Sequence, residues 1–329
     1  MNMKMLKLIK LIGPTFITNR FNNVVSMYSF ICLFVFLEAF ILNINAQTAG
    51  DYYRMYENSI SKGDYSAAYD AIVKCDKLVG SSQLSSTIIG IMLLQGQGVP
   101  MDSTRAYIDG FSKASYAASH KSDESRKKSV EMYENMDVEG VDMKDISKRI
   151  QQSWIEEDEQ YNTYMKLDNE QTNILSAFAF RWNACYSMTG VDAAVISGDL
   201  EERFAGASEV IEEASDGLAL TEDGYLLYLL GKIWYEGHTG MKDRQKGIGY
   251  FEKSASKGCI SALTYIGDIM ANKGDIDKAK EYWKKAAKES IKPLILPTKQ
   301  NVMYFISPNI DLYDVKSMKE RAIDNLKRY

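Results

Sequence analysis

The stretch EDGYLLYLLGKIWYEGHTGMKDRQKGIGYFEKSASKGCISALTYIGDIMANKGDIDKAKEYWKKAAKE, residues 222–289, contains two successive helix–turn–helix patterns. Leu230-Gly231 in the first pattern returns as Ile266-Gly267 in the second, a spacing in the thirties. Such a period is typical of helical hairpins that stack one on the next. The sequence therefore predicts an all-α solenoid and not a closed globule.

Apolar spacing gives each hairpin its first helix. Leu226, Leu229, Leu230 and Ile233 follow an i, i+3, i+4, i+7 pattern, which predicts an amphipathic helix. Gly231 lies inside that helix, where glycine costs about 1 kcal/mol relative to alanine, so we expect a partner helix to approach closely there. The remaining marker positions of the two hairpins are the turn glycines Gly237 and Gly274, the N-cap Asp243, the helical glycine Gly267, and Phe251, Ala255 and Ala286 of the second helices.

A third copy of the pattern lies upstream. Gly90, Gly96 and Asp102 fall at the spacing of Gly231, Gly237 and Asp243. The end of its second helix, Phe111-Ser-Lys-Ala, is displaced by one residue relative to the later copy.

Together these residues resemble the Sel-one-like repeat family, a relative of the tetratricopeptide repeats. The positions that match the family pattern are Leu230-Gly231, Gly237, Asp243 and Phe251. The match fails at Thr239, where the family has a second glycine. The resemblance implies a right-handed α-solenoid. It also implies a non-catalytic platform for protein interactions.

The pattern divides the chain into five parts. Residues 1–46 are predicted to be a signal peptide, and 51–119 and 221–290 are predicted to be two sets of hairpins. Residues 120–220 would be a degenerate helical region between them. Residues 291–329 would be a capping segment with a β-prone run at 302–306 and a final helix.

The signal-peptide prediction depends on three features of the N-terminus. An apolar run spans 24–42, and Ala46-Gln47 provides a small residue before a cleavage point. Four positive charges precede the run: Lys4, Lys7, Lys10 and Arg20. Export to a periplasmic or envelope location follows if the segment is cleaved. Retention of 24–42 as a single-pass anchor is the alternative, since its length just spans a bilayer.

Charge and cysteine content exclude some classes of function. Residues 1–46 hold four basic side chains and one acidic side chain, so the chain from Gln47 has a net charge of −8, against −5 for the whole chain. Nucleic-acid binding is not expected, because it depends on neutralising phosphates. Cys75, Cys185 and Cys259 lie in apolar helical contexts and are predicted to be buried thiols.

No catalytic, metal-binding or cofactor-binding pattern is found. The two histidines, His120 and His238, have no second ligand at metal spacing. Neighbouring carboxylates such as Glu201-Glu202 face apart on a helix. We therefore expect neither an enzyme nor a cofactor.

The candidate binding surface is the face of the first helices that would line a groove. Tyr225, Tyr228, Lys232 and Tyr235 form an aromatic stripe with a cation, and Thr264 and Asp268 correspond to them one repeat later. These side chains could hold an extended peptide. Alternatively, the tyrosines seal the seam with a neighbouring hairpin.

The sequence thus predicts an exported scaffold or adaptor with a protein or peptide partner. Two alternatives stay open at this point. One is a membrane-tethered regulatory subunit, with membrane contact only through an uncleaved N-terminal segment. The other is an envelope accessory protein that binds a peptide or a glycan.

Overall fold

A computed structural model describes residues 47–80, 82–120, 130–132, 134–135, 142–149, 151–152 and 167–329. The predicted signal peptide, its alternative as an anchor and much of the predicted bridging region lie outside these residues. Within the described part, no helix is long and apolar enough to cross a membrane.

Helices dominate the described chain. Their bounds are α1 Ala49–Ser61, α2 Tyr65–Leu78, α3 Gln83–Gln95, α5 Asn169–Ser197, α6 Leu200–Leu220, α7 Gly224–Glu236, α8 Arg244–Ser256, α9 Ile260–Asn272, α10 Ile276–Lys288 and α11 Val315–Arg328. Between α3 and α5, α4 consists of three consecutive segments: Ser103–Arg105, the π-helical Ala106–Phe111, and Ser112–His120.

The helices pack as pairs that follow one another in sequence order. α1 packs on α2, α3 on α4, α5 on α6, α7 on α8 and α9 on α10. Each pair also contacts the next along the chain, and α11 lies against α9 and α10. This pairing confirms the predicted all-α stack of helical hairpins. The right-handed sense of the solenoid stays a prediction, as do the domain bounds.

One contact recurs in three of the pairs. A glycine of the first helix lies directly under an aromatic ring of the second helix. A Cβ added to Gly231 would be 2.5 Å from Cδ1 of Phe251, and one added to Gly267 would be 2.5 Å from Nε1 of Trp283. At Gly90 the same atom would be 2.7 Å from the ring of Phe111. The glycines therefore set the distance between the paired helices.

The π-helix explains why the upstream copy is displaced by one residue. Asp102 and Asp243 both cap their helices, accepting from the backbone N–H groups of Arg105 and Lys246 at 2.9 Å. One more residue separates Asp102 from Phe111 than separates Asp243 from Phe251. A π-turn takes up one extra residue, so Phe111 still reaches Gly90.

Glycine also ends the first helices. Gly96 and Gly237 adopt left-handed conformations, with φ of 64° and 75°. The backbone N–H groups of these two residues donate to the carbonyls of Met92 and Ile233. The left-handed region is open to glycine at little cost, which accounts for glycine at this point of both repeats.

The C-terminal segment differs from its prediction at one place. Residues Val302–Ile306 form a 3-10 helix and not a β-strand. The buried side chains of Val302 and Phe305 explain the apolar composition of this run. On either side, Lys292 and Ile310 form an isolated bridge that closes residues 292–310 into a loop.

The three cysteines Cys75, Cys185 and Cys259 are buried, and no disulfide joins them. Burial raises the pKa of the Cys75 thiol to about 12 and that of Cys259 to about 11. Thiols held in the protonated form are poor nucleophiles. They therefore act as small apolar side chains of the core.

Candidate functional site

The face predicted to bind a partner lies against the chain's own C-terminal segment. Tyr225, Tyr228 and Lys232 project from α7, and Thr264 and Asp268 project from α9. Residues 309–325, which include most of α11, lie across these side chains. The predicted groove exists, but the chain itself occupies much of it.

Asp314 is the central contact of this occupied groove. Its carboxylate accepts hydrogen bonds from the hydroxyls of Tyr225 at 2.7 Å, Ser261 at 2.9 Å and Tyr228. Burial raises the pKa of Asp314, although these donors stabilise its charged form. Tyr225 and Tyr228 are each 1% exposed, so the structure places them in a buried seam, the alternative left open by the sequence, and not on an open surface. Their hydroxyls hold Asp314 because a buried phenol needs a hydrogen-bond partner.

Lys232 contacts Tyr313, the residue before Asp314. Its Nζ donates to the hydroxyl of Tyr313 at 2.6 Å and lies 2.9 Å from Oδ1 of Asp192 on α5. Tyr313 also donates to Asp192, and it adopts φ of 42°, which is unusual for a residue with a side chain. Lys232 thus joins three parts of the chain and leaves little of its side chain in solvent.

The two predicted residues of α9 have separate roles. The hydroxyl of Thr264 is buried and donates to the carbonyl of Met318 at 3.1 Å, so it is not available to a partner. Asp268 accepts from Nε1 of Trp283 at 3.1 Å and from Nδ2 of Asn325 at 2.8 Å. The guanidinium of Arg321 lies 2.7 Å from the other carboxylate oxygen. Burial raises the pKa of Asp268 despite this nearby cation.

Tyr235 lies beside a polar cluster at the end of α7. Its ring packs edge-on against Tyr265, whose hydroxyl donates to Glu236. Nε2 of His238 lies 2.6 Å from the other oxygen of Glu236. Burial alone would raise the pKa of Glu236, but the hydrogen bonds from His238 and Tyr265 outweigh it and hold that pKa below its usual value.

An open cleft of about 320 Å³ remains between α7, α9 and the C-terminal segment. Its lining combines two cations, Lys232 from α7 and Arg321 from α11, with carboxylates and three tyrosine rings. The lining residues that matter for recognition are Lys232, Tyr235, Glu236, Asp268 and Arg321. Arg321 is the exposed member, with 56% of its side chain in solvent. This cleft can accept polar side chains of a partner, and the rest of the predicted face cannot.

Four residues of the site were not found from the sequence: Asp192, Tyr313, Asp314 and Arg321. Asp314 occupies the N-cap position of α11, so its sequence context indicates a capping residue. Its side chain makes no cap hydrogen bond and turns to the tyrosines of α7. Long-range contacts of this kind leave no local signal.

No group of three or more potential metal ligands occurs among the described residues. Stacked helical hairpins with a groove along their first helices define a helical-repeat protein, and this is the class to which the geometry points.

No protein-family model matches the chain, and no curated protein matches it. Among solved structures, a Sel1 repeat protein from Oxalobacter formigenes is 20% identical, with a TM-score of 0.32 over 82% of this chain and 98% of that chain. The protective antigen c5321 of uropathogenic Escherichia coli, which displays an SLR fold, is 16% identical, with a TM-score of 0.26 over 89% of this chain and 71% of its own.

Proposed function

We propose that this protein is a non-catalytic scaffold that binds a protein partner at the cleft between α7, α9 and the C-terminal segment. One observation carries the proposal: this groove already holds a stretch of polypeptide. Side-chain hydroxyls bind the carboxylate of Asp314, and Asn309 bonds the backbone N–H of Ile260 and the carbonyl of Gly258, each at 2.9 Å. Grooves of stacked helical repeats present such extended surfaces.

The test uses Arg321, the exposed cation of the cleft. A photo-reactive amino acid at position 321 should cross-link a protein partner that the same group at Leu78, an exposed position on α2, does not. Replacing Arg321 by Gln should then weaken capture of that partner about tenfold, a value typical of a partly buried charge contact. The melting temperature should fall only slightly, because Arg321 is mostly in solvent and Asp268 keeps its hydrogen bonds from Trp283 and Asn325.

Lys278→Gln is the matched control. Lys278 is also an exposed cation in an ion pair, at 3.1 Å from Asp275, but it lies at the start of α10 and outside the cleft. Equal weakening by both variants, or the same cross-link at Leu78, would contradict binding at the cleft.

We further propose that residues 1–46 direct export and are removed before Gln47. The basic residues, the apolar run 24–42 and the Ala46-Gln47 junction support this proposal. Intact-mass measurement of the protein from a periplasmic fraction should give a chain that begins at Gln47. A full-length chain in the membrane fraction would instead support the tethered regulatory subunit.

A further inference from the structure

A second surface, which shares no residue with the cleft, lies where α4, α5 and α6 meet. Four aromatic rings stack there in a row that runs from the core towards the surface. Phe111 stacks on Trp182 with centroids 4.6 Å apart, Trp182 on Tyr186 at 5.5 Å, and Tyr186 on Tyr107 at 4.8 Å. Phe111 is fully buried, whereas Tyr186 and Tyr107 are only partly buried. The row therefore ends in tyrosine rings that a ligand can reach.

Helix α6 places carboxylates beside these rings. The helix has six acidic residues and a single basic residue, Arg203. Glu209, Glu212 and Asp216 are exposed, and Glu213 is partly buried. Burial raises the pKa of Tyr107, and the charges of Glu213 and Glu209 raise it further. The Tyr107 ring therefore lies in the negative potential of these two carboxylates.

Within the part of the chain that the structure describes, no cation balances the charge of Glu213. No ion pair of the described residues includes it, and its hydrogen-bond donor is Nδ2 of Asn183 at 3.2 Å. Burial raises its pKa to about 7, with the neighbouring carboxylates Asp216, Glu212 and Glu209 adding to that effect. A half-buried carboxylate without a counter-charge lowers stability, so its presence indicates a site that an external cation completes.

Asn183 provides an independent observation at the same place. Its side chain is 1% exposed, and the amide donates to Glu213 and, at 3.1 Å, to Oγ of Ser115. The carbonyl oxygen of the same amide accepts no hydrogen bond. Buried acceptors are rarely left without a donor. A ligand that carries N–H groups into the cluster would supply one.

From these features we propose that Tyr107, Tyr186, Asn183, Glu209 and Glu213 form a binding site for a lysine or arginine side chain of a basic protein segment. The ammonium or guanidinium group pairs with Glu213, which the amide of Asn183 holds from the buried side. The methylene stem lies on the tyrosine rings, which attract cations through their faces. The exposed carboxylates of α6 attract further basic residues of the same segment, so the partner is basic and not apolar.

The experiment measures binding of fluorescein-labelled hexalysine to the purified full chain by anisotropy at pH 8 and low salt. We expect saturable binding that Glu213→Gln weakens about fivefold and Tyr107→Leu weakens about threefold, the size of a partly desolvated charge contact and of a cation–π contact. Glu281→Gln is the matched control, since it removes the same charge from an exposed position on α10. Its effect should stay below about 1.5-fold, as for a distant screened charge.

The dependence on pH gives a second readout. Only the ionised form of Glu213 pairs with lysine, so affinity should rise as the pH increases through about 7, the pKa of that group. The titratable groups that face it are Tyr107 from α4, Tyr186 from α5, and Glu209, Glu212 and Asp216 from α6. Glu213→Gln removes the group that titrates in this range, so the rise should be lost in that variant.

Several outcomes would overturn the proposal. They are equal weakening by Glu281→Gln, an unchanged affinity in Glu213→Gln, or a pH-dependent rise that persists in that variant. Because Gln has the shape of Glu, the variant should fold, and far-ultraviolet circular dichroism checks this. A failed cleft test leaves these outcomes unaffected, since the two surfaces have no residue in common.

Discussion

At the scale of single residues, the helical glycines set how closely paired helices pack. Gly231 costs helix propensity, yet any side chain at this position would overlap the ring of Phe251. Phe251 is fully buried and surrounded by Tyr228, Tyr235 and Tyr265, so the ring cannot move aside. Glycine is therefore required by packing and not by its backbone conformation.

Replacing Gly231 by Ala tests this reason. Alanine raises helix propensity by about 1 kcal/mol, but the overlap with Phe251 should outweigh that gain and lower the free energy of unfolding by about 1–2 kcal/mol net. Gly249→Ala on α8 is the control, because a Cβ there meets nothing within 4 Å. The control should be neutral or more stable by up to about 1 kcal/mol. Thermal unfolding measures both, and equal behaviour of the two variants would refute the packing assignment.

At the scale of elements, the π-helical segment of α4 keeps two residues in contact despite an insertion. The chain has an extra residue between Asp102 and Phe111, and the segment Ala106–Phe111 accommodates it within one turn. Asp102 and Phe111 of this hairpin therefore have the same roles as Asp243 and Phe251 of the α7–α8 hairpin. A regular α-helix with the same residues would turn Phe111 away from Gly90.

Deleting Ile108 should convert this segment into a regular α-helix. Ile108 is exposed, and its loss leaves Asp102 and Phe111 at the spacing of Asp243 and Phe251. We expect the melting temperature to stay within about 4 °C of the original, equivalent to about 1 kcal/mol or slightly more in a chain of this size.

Deletion of Gly249 from α8 is the corresponding control. α8 has no π-turn that could compensate for a lost residue, so Phe251 should rotate away from Gly231. The free energy of unfolding should then fall by about 3–5 kcal/mol, the cost of losing a buried phenylalanine. The explanation would be wrong if deleting Ile108 lowered stability strongly, or if deleting Gly249 left stability unchanged. The π-helix would then not serve to keep Phe111 in contact with Gly90.

At the scale of the whole molecule, the loop 292–310 links hairpins that are far apart in sequence. Gln95 at the end of α3 donates to the carbonyl of Leu294 at 2.7 Å, and Gln171 on α5 donates to that of Lys299 at 3.0 Å. The same loop returns to α9 through Asn309. It therefore adds contacts between non-neighbouring pairs, which a simple linear stack would lack.

Arg181 fixes this loop from inside the core. Its buried guanidinium pairs with Asp223 and donates to the carbonyls of Ser307 at 2.7 Å and Phe305 at 3.1 Å. Asp223 at the same time caps α7 through the backbone N–H of Tyr225 at 2.8 Å. A buried ion pair is costly to break by removing one partner, because the other charge is left without compensation. The start of α7 and the C-terminal segment are thereby held together.

The sequence alone predicts the all-α class, the helix pairs of the three repeat copies, and the caps at Asp102 and Asp243. These follow from local chemistry: apolar spacing, a capping carboxylate three residues before its donor, and glycine at left-handed turns. It also indicated, from the cost of glycine inside a helix, that Gly231 and Gly267 lie at close contacts. The displaced Phe111 was visible in the sequence, but the π-turn that accommodates it was not.

Which helix faces are free depends on long-range contacts and could not be predicted from the sequence. The spacing of Tyr225 and Tyr228 fits both an exposed stripe and a buried seam. The residue that covers these tyrosines, Asp314, lies more than 80 residues further along the chain. The same holds for Glu213, whose missing counter-charge depends on how α4, α5 and α6 meet. Helical periodicity specifies the side of a helix on which a residue lies, but the segment that covers that side is set by long-range packing.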